Sequence, residues 1–296
     1  MTIELRRAVD DHELEAWRTV RMAVLPNERT STVEEIRAQA TDGQLLLLAF
    51  LGGELAGSGV SNRSDSGSAF TQPRVLPAFR RRGVGTVLLR ALAAHAAERG
   101  YTEASAQLEE PAASAFAARF GFVERMRQIE QVRAVAHDEM APDVPTGIEL
   151  APLAARPDLR DRLFPELVRD ALRDLAVDQT IEISEEIWWR QWLTSTEWTF
   201  VALEGGQIVG MAGLLPDADR PERAENALTA VRRDHRRRGI ARVLKQQTIH
   251  LASQLGLREI YTWTQTGNEA MQELNRSLGY VDRTVVATVR APLPLP

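Results

Sequence analysis

Residues 79–85 read Phe79-Arg80-Arg81-Arg82-Gly83-Val84-Gly85, and residues 235–241 read His235-Arg236-Arg237-Arg238-Gly239-Ile240-Ala241. Gly83 and Gly239 lie 156 positions apart, and each stretch follows a short β-type run ending in valine, at Val75 and Val231. Each also precedes an apolar pattern of helical period: Val84, Val87, Leu88 and Ala91 in one, Ile240, Val243, Leu244 and Ile249 in the other. A strand, an Arg-x-x-Gly-x-Gly/Ala loop and a helix therefore occur twice. A helix start of this kind offers unbonded backbone N–H groups and the positive end of a dipole. Small residues let a phosphate approach the backbone, and the arginines Arg80, Arg81, Arg82, Arg236, Arg237 and Arg238 add positive charge. The combination predicts a pyrophosphate cradle. It is neither a Walker loop nor a full dinucleotide fingerprint, since Gly-Lys-Ser/Thr and the third glycine are absent. The structural alternative is a tight turn into a surface-exposed basic helix.

Further repeats surround the loops. Leu48 to Gly57 and Val201 to Gly210 each read as two apolar runs around a Gly-Gly pair, a strong hairpin signal. Phe120-Gly121-Phe122 matches Leu278-Gly279-Tyr280, and Ile3-Glu4-Leu5 matches Ile148-Glu149-Leu150. A period this long points to domain duplication rather than a solenoid. His137 to Gly147 carries Pro142, Pro145 and Gly147 and reads as a linker, which places one domain at 1–138 and a second at 147–296. The proline-rich end, Pro292 to Pro296, reads as a frayed tail. Each half predicts an α/β (α+β) fold with a mixed, largely antiparallel sheet flanked by helices.

Composition narrows the function. A net charge of −5 gives no support to a nucleic-acid partner. The absence of cysteine removes disulfides and a cysteine nucleophile, and the scattered histidines show no metal spacing. No signal peptide or membrane-length apolar run is visible, so a cytoplasmic location is expected.

On these motifs both halves resemble the GNAT acetyltransferase superfamily, and the layout is similar to mycothiol synthase-like tandem acetyltransferases. The resemblance implies that main-chain amides of the loop bind the pyrophosphate of acetyl-CoA. Val75, Arg80, Gly83, Val84 and Gly85 fill that motif in the first half, and Val231, Arg236, Gly239, Ile240 and Ala241 in the second. It also implies that the pantetheine arm lies in a gap where the strand ending in that valine parts from the next. The family's acid is often a tyrosine four residues before the Gly-Phe/Tyr pair, but here that position holds Ala117 or Asn275.

The second half keeps more of the family's later pattern, with Asn268, Met271 and Asn275 on one helical face. Asn268 is expected at the cofactor and Asn275 in catalysis; their bland alternatives are a helix cap and an exposed polar residue. Glu225, near the start of the strand leading to Val231, is the expected base, with Glu222 as neighbour; the first half offers only Thr71 and Gln72 there. Trp188 and Trp192 read as core, and Trp189 as a candidate substrate contact. The leading expectation is an acetyl-CoA-dependent N-acetyltransferase acting on a primary amine in its second half. The alternative is an inactive acyl-CoA-binding sensor or interaction protein.

Overall fold

The computed structural model describes residues 2–26, 30–64, 67–109, 111–175, 183–193, 195–217 and 220–296. The chain divides into two compact units, and the division does not follow the linker. Unit 1 comprises Met1–Arg127 with Val286–Pro296, and unit 2 comprises Gln128–Val285.

Unit 1 contains β1 (Ile3–Arg7), α1 (Asp11–Val24), α2 (Val33–Ala38), β2 (Leu45–Leu51), β3 (Glu54–Arg63), β4 (Ala69–Val75), α3 (Val84–Glu98), β5 (Glu103–Leu108) and α4 (Pro111–Ala118). Asp10 and Thr32 start α1 and α2 with capping boxes closed by Glu13 and Glu35. Gly52 and Gly53, both at positive φ, turn β2 into β3. Strand order is β1-β2-β3-β4-β5, antiparallel except for the parallel β4–β5 pair. Helix α3 makes the crossover, burying Val84, Leu88 and Leu92 on β2 and β3.

Unit 2 repeats the plan with β7 (Ile148–Pro152), α5 (Arg160–Leu163), α6 (Arg169–Leu175), α7 (Glu185–Ile187), β8 (Thr199–Glu204), β9 (Gln207–Pro216), β10 (Arg223–Asn226), β11 (Ala230–Val231), α8 (Ile240–Gln254), β12 (Glu259–Gln265) and α9 (Glu269–Ser277). Strand order is β7-β8-β9-β10-β12, again with one parallel pair, β10–β12. Residues 164–168 and 188–192 wind as π-helix. In each unit a glycine lets the crossover helix lie close to the sheet. A Cβ on Gly57 would sit 3.2 Å from Leu88 of α3, and one on Gly210 would sit 2.9 Å from Leu244 of α8.

The sixth strand of each sheet comes from the other half of the sequence. The remaining strands are β6 (Val123–Ala134) and β13 (Val281–Pro292). In unit 1, Ala287–Pro292 of β13 pair antiparallel with β5, and Val289 and Ala291 enter its core beside Leu89 and Ala104. In unit 2, residues 128–134 of β6 pair antiparallel with β12. The expected boundaries of 1–138 and 147–296 gave each half its own last strand. Strand partners are set by hydrogen bonds and packing at a sheet edge, which a linker's composition does not report. The end of the chain is also not frayed: Leu293 donates its N–H to the Thr102 carbonyl at 2.8 Å, and Leu293 and Leu295 pack on the unit 1 core.

Candidate active site

The two glycine loops adopt the same backbone. Gly83 and Gly239 precede their helices with φ of 89° and 80°, and Arg81 and Arg237 take φ of 63° and 64°. Left-handed residues at alternate positions turn the peptide N–H groups toward one concavity, the geometry of an anion nest. Neither glycine supplies a side-chain cap, so the first-turn amides of α3 and α8 stay available to an anion. A Cβ on Gly85 would make only ordinary contacts, 3.5 Å from Phe116 and Val75, which explains why its counterpart can be Ala241.

The arginines hold the loops in shape. Arg80 Nε donates to the Val75 carbonyl at 3.3 Å and Arg236 Nε to the Val231 carbonyl at 3.1 Å, each tying the loop to its strand. Unit 2 adds carboxylates. Arg233 and Arg236 both grip Asp174, and Arg238 forks onto Glu204 at 2.5 and 3.0 Å. Arg233 chiefly holds the Asp174 carboxyl below its usual range, and Arg238 does the same for Glu204. The main-chain amides of the loops, together with Arg81 and Arg237, which make no hydrogen bond or ion pair among the described residues, are the groups left open to an anion.

The gap beside the loop differs between the units. In unit 1, β4 and β5 pair at Ala69–Ala104 and Phe70–Ser105 and then part. Gln72 crosses the gap. Its side chain donates to the Gln107 carbonyl at 2.9 Å and accepts from the Gln107 N–H at 2.8 Å. In unit 2, β10 pairs with β12 through Glu225–Tyr261, after which residues 227–229 leave the ladder and β11 pairs only with β9. Leu228 stands 156 positions after Gln72, as Gly239 does after Gly83. A leucine cannot form the two hydrogen bonds, and Leu228 instead packs on the core holding Trp188 and Trp189.

Glu225 lies half-buried opposite Leu215 of β9 and Tyr261 of β12. Burial, and next the charge of Glu225, push the Tyr261 hydroxyl well above its ordinary value. The Arg223 guanidinium stacks 4.0 Å from the Tyr261 ring centre. Glu222 is exposed, and its carbonyl anchors the start of β12 by accepting from Arg258 N at 2.7 Å.

Asn275 is fully buried, neither in a cleft nor on the surface. It donates to Gln131 Oε1 at 2.8 Å and Thr264 Oγ1 at 3.3 Å. Thr264 lies three residues beyond Tyr261 on β12, ~10 Å at ~3.3 Å per residue. The structure thus does not bring Asn275 to Glu225. Asn268 occupies the N-cap of α9 without a side-chain capping bond. Trp188 is fully buried, whereas Trp192 and Trp189 are half-buried. Trp189 is held between Glu185 and the Arg160 guanidinium. Residues 188–192 wind as π-helix, and of the two tryptophans expected in the core only Trp188 is fully buried.

One buried group escaped the sequence reading. Lys245 is 1% exposed, donates to Asn226 Oδ1 and has its Nζ 5.3 Å from the Tyr280 ring centre. Burial pushes its pKa down to about 7. Asn226 in turn donates to the Gly213 carbonyl at 3.0 Å, which also accepts Ala227 N at 2.9 Å. This chain fastens the point where β10 leaves the sheet. The available signal was the comparison with Leu89, the apolar residue at the matching place in α3.

Among the described residues, no helix is long and apolar enough to cross a membrane, and no group of three or more His, Asp or Glu side chains is placed to hold a metal ion.

The profile of the Acetyltransferase (GNAT) family matches residues 8–122 and 160–280. The chain therefore belongs to the GNAT acetyltransferase family and carries two copies of its fold in tandem. Solved structures agree on the fold. A GCN5-related N-acetyltransferase from Sphaerobacter thermophilus is 19% identical, with a TM-score of 0.76 over 98% of this chain and 95% of that one. A tandem GNAT protein from the clavulanic acid biosynthesis pathway is 18% identical, with a TM-score of 0.77 over 98% of each chain. A putative acetyltransferase from Pyrococcus horikoshii is 17% identical, with a TM-score of 0.61 over 98% of this chain and 89% of that one. No curated protein sequence matches the chain.

Proposed function

We propose that the protein is a cytoplasmic N-acetyltransferase that moves an acetyl group from acetyl-CoA to a primary amine, with the chemistry in unit 2. The observation that carries this reading is the gap beside a pyrophosphate-type loop in unit 2, where Gln72 of unit 1 has Leu228 as its counterpart and, among the described residues, no side-chain amide crosses as Gln72 does. Backbone amides around Arg237–Ala241 take the pyrophosphate, with Val231 and Arg236 fixing the loop and Arg238 anchoring it to Glu204. Asn268, at the start of α9, lies at the cofactor's margin. The loop at Arg80–Gly85, with Val75, has the same cradle and takes a pyrophosphate weakly, because its gap is occupied.

Glu225 accepts a proton from the incoming ammonium, and the free amine attacks the thioester carbon. A carbon–nitrogen bond forms, the nitrogen gives up its second proton to water, the carbon–sulfur bond breaks, and the thiolate leaves to take a proton from water. General-base catalysis of this kind contributes ~10²–10⁴-fold. Strand-end amides beyond Asn226 are suited to the transient oxyanion. No tyrosine acid is needed for a coenzyme A thiolate, a fairly good leaving group. Turnover of acetyl-CoA across a panel of primary amines tests the reading. Tight acetyl-CoA binding without turnover on any amine would favour the sensor alternative instead, which the buried Asn275 and missing tyrosine support.

A further inference from the structure

Asn226, the last residue of β10, is 2% exposed and bonded on three sides. Its Oδ1 accepts from Lys245 Nζ of α8, and its Nδ2 donates to the Gly213 carbonyl of β9 at 3.0 Å. Its own carbonyl accepts from Thr262 Oγ1 of β12 at 3.0 Å. One residue thus joins the crossover helix to both neighbouring strands at the place where the gap begins. We propose that Lys245 is a positioning residue for acetyl transfer: through Asn226 it holds a strand bulge that keeps the gap open for the arm of acetyl-CoA. The proposal rests on the reading that unit 2 carries the chemistry.

The bulge is visible in the pairing. Asn226 lies opposite Leu214 and Ala230 opposite Met211, so three residues, 227–229, face only two, 212 and 213. An extra residue bends its strand and interrupts the ladder. Asn226 Nδ2 and Ala227 N both donate to the Gly213 carbonyl, which fixes where that residue falls. In unit 1 the β3–β4 ladder keeps one register from Arg63–Ala69 to Gly57–Val75. Six steps carry the chain from Ala69 to Val75, but seven from Ala224 to Val231.

The bonding that holds the bulge is also particular to unit 2. Counted from the parallel pairs Ala69–Ala104 and Ala224–Ile260, Thr71 stands where Asn226 does. Leu89 stands in α3 where Lys245 stands in α8. Thr71 donates to the Ser105 carbonyl at 3.3 Å, and Leu89 joins the apolar core. The link from helix amine to strand amide therefore accompanies the bulge. It is a costly device, because Lys245 is 1% exposed and an amine in such a site loses its hydration. Packing alone is met by a leucine, as Leu89 shows, so the use of the amine lies in its bond to Asn226.

Calorimetry on the full chain tests this, with acetyl-CoA and with ADP, which has a pyrophosphate but no pantetheine arm. Both are read at the site that Gly239→Glu removes. Lys245→Met keeps the volume and deletes the amine. It should weaken acetyl-CoA by about tenfold or more, because the arm no longer finds its gap in place. ADP affinity should hold, and thermal unfolding should come no earlier, a combination that a general loosening of unit 2 would not give. Asn226→Ala should also weaken acetyl-CoA. Adding Lys245→Met to it should change nothing further, since Lys245 acts through Asn226. Unchanged acetyl-CoA affinity in Lys245→Met, ADP weakened in step with acetyl-CoA, or additive effects in the double variant would each overturn the proposal and leave the functional reading standing. Should Lys245→Met fail to fold, Lys245→Leu takes its place, and failure of both would make Lys245 a residue of the fold alone and overturn the proposal. An unmodified chain without an acetyl-CoA site sensitive to Gly239→Glu would instead remove the functional reading, and this proposal with it.

Discussion

Gln72 spans the gap between β4 and β5 and satisfies both backbone groups of Gln107, donating to its carbonyl and accepting from its N–H. A side-chain amide here does what a neighbouring strand, or an amide-bearing substrate arm, would otherwise do. One tight acetyl-CoA site per chain is therefore expected by calorimetry. Gln72→Leu removes two hydrogen bonds of ~1 kcal/mol each and gives unit 1 the residue found at position 228. It should lower stability by ~1–3 kcal/mol and strengthen binding at a second site. Two equal tight sites in the unmodified protein would show that Gln72 is no barrier.

Gly239→Glu should abolish the tight site. The position has φ of 80°, which costs a non-glycine residue ~1–2 kcal/mol, and the new carboxylate would compete with phosphate in the nest. Gly239→Ala separates the two effects. A Cβ there meets nothing within 4 Å, so only the backbone cost remains and most of the binding should persist. Gly83→Glu should leave the tight site untouched. Loss of that site in Gly83→Glu but not in Gly239→Glu would reverse the assignment of the units.

Glu225→Gln should reduce turnover by ~10²-fold or more while acetyl-CoA affinity stays near that of the unmodified protein. The carboxamide keeps the volume between Leu215 and Tyr261 but cannot accept the proton. Unchanged turnover between about pH 6 and 9 would assign proton removal to water and leave proximity as the main contribution.

Asn275→Ala should act on stability more than on chemistry. It strands Gln131 Oε1 in a buried site, a penalty of ~1–3 kcal/mol, and leaves a small void. Urea unfolding measures this. A large fall in turnover with unchanged stability would return Asn275 to the mechanism.

Lys245→Met should stabilise unit 2, most strongly near neutral pH. The folded pKa of about 7 lies below a lysine's ordinary 10.5, so between these values the unfolded chain holds a proton that the folded chain has released. Stability of the unmodified protein therefore rises with pH across that window and declines as pH falls toward 7. The advantage of Lys245→Met should shrink as pH rises toward 10. An advantage independent of pH would mean that Lys245 stays charged when buried.

The duplication, the strand and helix order, and both glycine loops were legible because each rests on local chemistry. Gly52-Gly53, the 3.6-residue pattern after Gly83 and the small residues of the loop all act over a few positions. What was not legible depends on contacts between distant residues. Asn275 was expected in catalysis from its place in the family-like pattern with Asn268 and Met271, whereas its buried partner Gln131 lies 144 positions away and no local pattern reports it. Gln72 looked like an absence of catalytic equipment, and only its bonds to Gln107 reveal an occupied gap. Lys245 sat in an apolar helical pattern that charge alone would assign to solvent.

The exchange of last strands has a consequence in time. During synthesis, Val289 and Ala291 are made after all of unit 2, yet they complete the sheet edge and core of unit 1. Until then β5 presents an unpaired edge, the kind of surface that invites pairing with other chains. Nascent chains stopped before residue 286 should thus carry a folded loop and helix in unit 1 beside an open strand edge. The ribosome, which usually lets an N-terminal domain fold first, here delivers the closing strand of that domain last.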